Sequence, residues 1–246
     1  MGINLPCADA IHHLFMNEQL PNKRVLSFGF PDIVVSGKEL KERLNLPNLA
    51  TLPSDDEKTK TIAKHHGIEK DDIPCTNSFF YELEATSFIS IDITKEKRDN
   101  EIHLDLNYPL PIPTPEPLLE PFGVILDLGT LEHCFNAPQA LETMQQLIAP
   151  GGFIIHWNPF YMPNHGFYSF NPTFYADWYK SRGFTLKSVS VWGGKRQIFT
   201  NLTDRFKFDT GGEEFSNLVI VQAPEKYTPP VSTFPCQTKY VKMGLL

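Results

Sequence analysis

Residues 122–159 read FGVILDLGTLEHCFNAPQALETMQQLIAPGGFIIHWNP, and this stretch decides the architecture. Phe122 to Gly129 is a short apolar run ending at a glycine, the pattern of a buried strand, with Asp127 near its close. In the segment that follows, Leu141, Met144, Leu147 and Ile148 fall at helical spacing, and Pro150-Gly151-Gly152 stops the helix. A second apolar run, Gly151 to Pro159, closes on His156 and Asn158. Strand, helix and strand in so short a length form a parallel crossover.

Outward from this unit the same pattern recurs. Three earlier runs read as strands: RVLSFGF (24–30) before Pro31, SFISIDI (87–93) with Asp92, and EIHLDLN (101–107) with Asp105 and Asn107. Two later ones are FTLKSVSVW (184–192) and EFSNLVIVQAP (214–224). Between them NPTFYADWYKSRGF (171–184) has Asn171 as N-cap, Pro172 at the first helical position and Gly183 just past the end. The expectation is an α/β fold: a doubly wound, mostly parallel, Rossmann-like seven-stranded sheet with helices on both faces. A single domain over 1–246 is expected, with an insertion at 31–86 and an edge-strand excursion at 193–213. The insertion exceeds the roughly 30 residues of a whole βαβ unit; it holds helical stretches at Lys38 to Leu46 and Glu57 to Gly67. Residues 108–121, YPLPIPTPEPLLEP, are an extended proline-rich connector.

Composition narrows the function classes. The chain has 246 residues, 41% of them hydrophobic, enough to bury a core. Its net charge is −7 with no basic run to grip a phosphate backbone, so a nucleic acid polymer is not an expected partner. No apolar run approaches the ~20 residues of a membrane span, and MGINLPCADAIHHLF lacks the regions of a secretory leader. A cytoplasmic protein away from the membrane is expected; the oligomeric state stays open. Cys7, Cys75, Cys134 and Cys236 are scattered, without a C-x-x-C pair, and read as free thiols.

In an open parallel sheet the ligand sits beyond the carboxyl ends of the strands, so strand-end side chains face it. Asp92, Asp105, Asp127, His156 and Asn158 are all placed there by the strand assignments.

The ordered set of Gly29 after strand one, Asp92 after strand two, DLN (105–107) after strand three, DLGTLEH (127–133) after strand four and IAPGGFIIHWNP (148–159) resembles the class I S-adenosylmethionine-dependent methyltransferases. The resemblance spans roughly Arg24 to Val221. NHGFYSFNPTFYADWYKSRGF (164–184) further resembles methyltransferases of bacterial polysaccharide gene clusters. It implies S-adenosyl-L-methionine as cofactor and a small-molecule acceptor, a sugar or phosphate-containing metabolite methylated at oxygen. By the same resemblance Gly29 lets the backbone approach the methionine end and Asp92 accepts from both ribose hydroxyls. Asp105, Leu106 and Asn107 border the adenine; Asp127 and Gly129 face the methionine moiety and the reacting methyl. The first loop, Ser27-Phe28-Gly29-Phe30-Pro31-Asp32, departs from the family's glycine-rich pattern in carrying one glycine. The second function class is therefore a catalytically inactive Rossmann-like module that binds a nucleotide or a partner.

Methylation of a hydroxyl needs alignment and removal of a proton, for which a histidine near neutral pKa is suited. His133, His156 and His165 are candidates, with His165 and His133 carried forward as catalytic. The competing roles are, for His133, capping and orienting the helix it opens and, for His156, that of a core histidine. Glu132 with these histidines has the donor types of a metal site. Neighbouring helical residues diverge by about 100°, however, and no metal is expected. Phe160, Tyr161, Phe167, Tyr168 and Phe170 are candidates for acceptor-pocket walls.

Overall fold

A computed structural model describes residues 2–55, 57–94, 100–193, 196–199, 211–226 and 235. Cys236 and most of the 193–213 excursion, named from the sequence, lie outside the described residues. In chain order the elements are α1 (Leu5–Asn17), β1 (Arg24–Phe28), α2 (Gly37–Leu44), α3 (Glu57–His66), α4 (Thr76–Glu82), β2 (Ser87–Asp92), β3 (Glu101–His103) and β4 (Phe122–Asp127). They continue as α5 (Ala137–Leu147), β5 (Ile148–Tyr161), α6 (Pro172–Lys180), β6 (Thr185–Gly193), β7 (Arg196–Phe199) and β8 (Phe215–Gln222).

One sheet takes all the strands, in the order β3-β2-β1-β4-β5-β8-β6-β7. The first five pair in parallel, whereas β8 runs antiparallel to both β5 and β6, and β7 antiparallel to β6. Among the described residues the expected seven strands are thus eight. The extra strand is Arg196–Phe199, which folds back as a hairpin on the exposed edge of β6 from within the stretch read as an excursion.

Alternation along the strands divides the core into two layers, because successive side chains leave opposite faces of a sheet. Leu26, Phe28, Ile125 and Ile154 face α5 and α6; Val25, Val124, Leu126 and Ile155 face α1, α2 and α4. Helix α6 forms as its sequence dictates. The Asn171 side chain accepts from the Thr173 amide, Pro172 opens the first turn, and Gly183 follows the end at a φ of +77°. Its Tyr175, Trp178 and Tyr179 are buried in the sheet-facing core. Burying a side chain of this size contributes about 2–3 kcal/mol, so this face holds the helix down.

Four local readings are revised. The N-terminal helix α1, capped by the Asn4 side chain on the Cys7 amide, has no counterpart in the sequence reading. Helix α4 supplies a third helix in the 31–86 insertion, where two are expected; no side chain caps it. Helix α5 ends at Leu147, and β5 begins at once with Ile148 opposite Phe122, then shifts register before Phe153 pairs with Val124. The Pro150-Gly151-Gly152 segment is thus an irregularity inside a long strand. Finally, β3 stops at His103, and Asp105 accepts from the Asn107 amide at 2.9 Å to make a turn. No helix among the described residues is long and apolar enough to cross a membrane.

Candidate active site

The strand order reverses between β1 and β4, which lie side by side with Phe28 opposite Asp127. The connection from β1 to β2 carries its helices on one face, and α5 returns on the other. That divergence opens a crevice at the carboxyl ends of the strands. A cavity of about 340 Å³ lies there, bordered by Gly29, Asp92, Asp105, Leu106, Asn107 and Gly129. Phe28, Ile91 and Leu104 add apolar wall, and Thr130, His133 and Cys134 close the side toward α5.

Each of these groups is held by the local fold. Asp92 Oδ2 accepts from the Phe30 amide at 3.3 Å, and its Oδ1 accepts from the amide and hydroxyl of Thr94, both at 2.9 Å. The carboxylate thereby ties the end of β2 to the loop after β1. Gly29 has a φ of +71°, and a Cβ there would stand 2.5 Å from Thr130 Oγ1. That hydroxyl donates to the Phe28 carbonyl at 2.6 Å and latches the two central loops together. The bare backbone at Gly29 is therefore required by the protein's own Thr130. Asn107 serves two surfaces: it borders the cavity, and its Oδ1 accepts from the Asn136 amide at 2.8 Å beside the start of α5.

Asp127 corrects an expectation. It is fully buried and does not border the cavity. Its Oδ1 accepts from the amides of Thr130 and Leu131, and its Oδ2 lies 2.7 Å from His156 Nδ1. His156 Nε2 in turn lies 2.7 Å from the Tyr179 hydroxyl. His156 is thus a satisfied core histidine, and Asp127 shapes the turn after β4 from behind. The strand-end polar residues form two layers: Asp92 and Asp105 at the cavity, Asp127, His156 and Asn158 beneath it.

A second polar group flanks the cavity. Leu131–His133 is a single 3-10 turn, which puts the buried Glu132 behind the half-exposed His133. The loop carrying His165 folds back on it: the Phe167 amide donates to the Glu132 carbonyl at 2.7 Å. Gly166 permits this approach, since a Cβ at its φ of +74° would sit 2.8 Å from that carbonyl oxygen. The His133 and His165 rings are 5.2 Å apart, and His165 Nε2 is 3.6 Å from Glu132 Oε1. Of the two histidines only His133 borders the cavity.

Burial, with a further push from Asp127, raises the Glu132 carboxyl to about 7. Burial and then His165 lower the His133 pKa, so its imidazole is neutral at neutral pH. Burial, followed by the charges of Asp127, Asp105 and Glu132, pushes the Cys134 thiol up to about 12 and keeps it protonated. Thr130 and Cys134 are site residues the sequence reading does not single out. Their only sequence signal is proximity to Gly129 and to the Glu132-His133 pair.

The aromatic expectation is revised as well. Phe170 belongs to the buried core, whereas Phe167 is exposed and packs edge-on against exposed Phe135 at 5.4 Å. Arg182 and Arg196 do not border the cavity. Arg182 lies over the Trp178 ring and Arg196 pairs with Glu213.

The chain is similar to solved methyltransferase structures. StiE O-MT matches at 9% identity over 89% of this chain and 74% of that one, with a TM-score of 0.44. The CurJ carbon methyltransferase matches at 13% over 88% and 54% (TM-score 0.42). An S-adenosylmethionine-dependent methyltransferase of Archaeoglobus fulgidus matches at 13% over 87% and 94% (TM-score 0.41). No protein-family model and no curated protein sequence matches the chain.

Proposed function

We propose that this protein is an S-adenosylmethionine-dependent methyltransferase acting on an oxygen of a small polar acceptor. The observation that carries the reading is the cavity at the reversal of strand order, with a carboxylate at the tip of β2 and a histidine at the opposite wall. Its volume lies within the roughly 300–1,000 Å³ of small-molecule clefts. The donor set fits the cofactor. Asp92 offers a carboxylate for a ribose diol, and Leu104, Leu106 and Ile91 offer apolar walls for a purine beside Asp105. Gly29 and Gly129 present backbone to the methionine end. When bound, S-adenosylmethionine would supply a methyl group activated on a sulfonium sulfur, with a neutral thioether as the leaving group.

The chain's own residues align the acceptor and receive its proton. His133 borders the cavity with a neutral imidazole, so it is the residue placed to take that proton; His165 stands behind it against Glu132. Exposed Phe135 and Phe167 form an apolar ledge beside the two histidines, suited to the carbon face of a sugar ring. His133→Ala should leave S-adenosylhomocysteine affinity unchanged while turnover of a sugar acceptor falls at least roughly 100-fold, the ordinary worth of a proton-transfer group. Undiminished turnover would remove His133 from the role.

A second reading rests on the single glycine of the first loop. Because the space a Gly29 Cβ would take is already occupied by Thr130, that loop supports a binding module without catalysis equally well. Cofactor binding without turnover of any acceptor would favour it.

A further inference from the structure

Glu132, His133 and His165 each offer one potential ligand atom, and these atoms all lie within 4.8 Å of one another. Two of them are orphans. Glu132 is 0% exposed and its Oε1 has no hydrogen-bond partner; neither has the buried Nε2 of His165. These atoms face each other at 3.6 Å, too far for a hydrogen bond to satisfy either. His133 Nε2 stands 4.0 Å from the same carboxylate oxygen. A buried polar atom without a partner costs free energy, and two such atoms aimed into one gap point to something held between them.

We infer that Glu132, His133 and His165 bind a divalent first-row transition ion beside the cavity. Tetrahedral ligand atoms at about 2.1 Å from such an ion stand about 3.4 Å apart, so the Glu132–His165 spacing is already in place. His133 closes the remainder by rotation, which its half-exposed side chain permits. Neighbouring residues of a 3-10 turn diverge by about 120°, yet His133 Nε2 and Glu132 Oε1 stand 4.0 Å apart, so the turn does not separate the two side chains.

The surroundings are those of a ligand set held in position. Glu132 Oε2 accepts from Asn158 Nδ2 at 3.0 Å, and Asn158 Oδ1 accepts from the Tyr175 hydroxyl at 2.7 Å. Such outer partners orient a ligating carboxylate. One carboxylate and two imidazoles suit iron(II), cobalt(II) or zinc(II), and three protein ligands leave positions open. If the methyl-transfer reading holds, an acceptor hydroxyl is the ligand those positions would take, and the ion would acidify it. In that case the histidines act through the ion. The ion site itself does not depend on that reading.

The test adds cobalt(II) to the purified, chelator-treated full chain and follows its visible absorption. Bands that saturate at one equivalent are expected, with affinity weakened at least about tenfold in Glu132→Gln, His133→Ala and His165→Ala, each checked for folding by circular dichroism. His165→Ala lies on a surface loop and keeps the test decisive if Glu132→Gln misfolds. His65→Ala/His66→Ala should bind as the parent does. Absence of saturable bands, or loss of binding in the His65/His66 variant alone, overturns the site. S-adenosylhomocysteine binding to the cobalt-free protein is measured in parallel, so failure of the ion site and failure of the cofactor reading give different results.

Discussion

Asp127 shows how a residue's type can be read while its direction is missed. Its place at the end of β4 is evident from FGVILD, yet whether it points to the cavity or beneath depends on the turn that follows, where the Thr130 and Leu131 amides claim it. His156 is similar: strand position follows from the sequence, whereas its partners come from β4 and α6, distant in the chain. His156→Phe leaves the buried Oδ2 of Asp127 without its imidazole. A loss of about 2 kcal/mol follows, read as a Tm lowered by roughly 4–8 °C. An unchanged melting curve would contradict the buried pair. Asp92 differs, because the loop after β1 comes back against the end of β2, where the Phe30 amide donates to its carboxylate at the border of the cavity.

At the scale of elements, the well-capped and strongly patterned segments were legible and the weakly signalled ones were not. Helix α6 follows from Asn171, Pro172 and its aromatic face, whereas α4 has no capping side chain and an aromatic-rich sequence, and its existence depends on packing against the sheet. Strand β7 is only four residues, RQIF, too short for its pattern to signal a strand, and it pairs along the open edge of β6. The His165 loop depends on a glycine whose necessity appears only once its neighbour is known. Gly166→Ala puts a Cβ against the Glu132 backbone at a left-handed φ, costing about 1–2 kcal/mol and displacing the loop. Cobalt(II) affinity should fall while S-adenosylhomocysteine affinity holds. Gly183→Ala, at a similar φ but with nothing within 4 Å, should reduce Tm without affecting cobalt. Equal cobalt affinity in both variants would refute the loop's role.

Across the whole molecule, two apolar layers sandwich one sheet, and the polar residues gather at its carboxyl edge. Burial at this scale controls reactivity away from the site. Cys7, fully buried in the layer under α1, has a thiol held far above its ordinary pKa by desolvation, whereas Cys75 is partly exposed. Since the thiolate is the reactive form, iodoacetamide at mildly alkaline pH should label Cys75 and spare Cys7 until denaturant is added. Peptide mass spectrometry showing early Cys7 labelling would contradict the packing of α1.

What the central cavity binds decides whether this protein is a methyltransferase. Calorimetric titration of the intact protein with S-adenosylhomocysteine should give one saturable site, with affinity reduced about 10- to 100-fold in Asp92→Ala, the loss expected for hydrogen bonds to a charged acceptor. No heat and no shift in Tm at millimolar ligand, or full affinity in a folded Asp92→Ala protein, would contradict that reading.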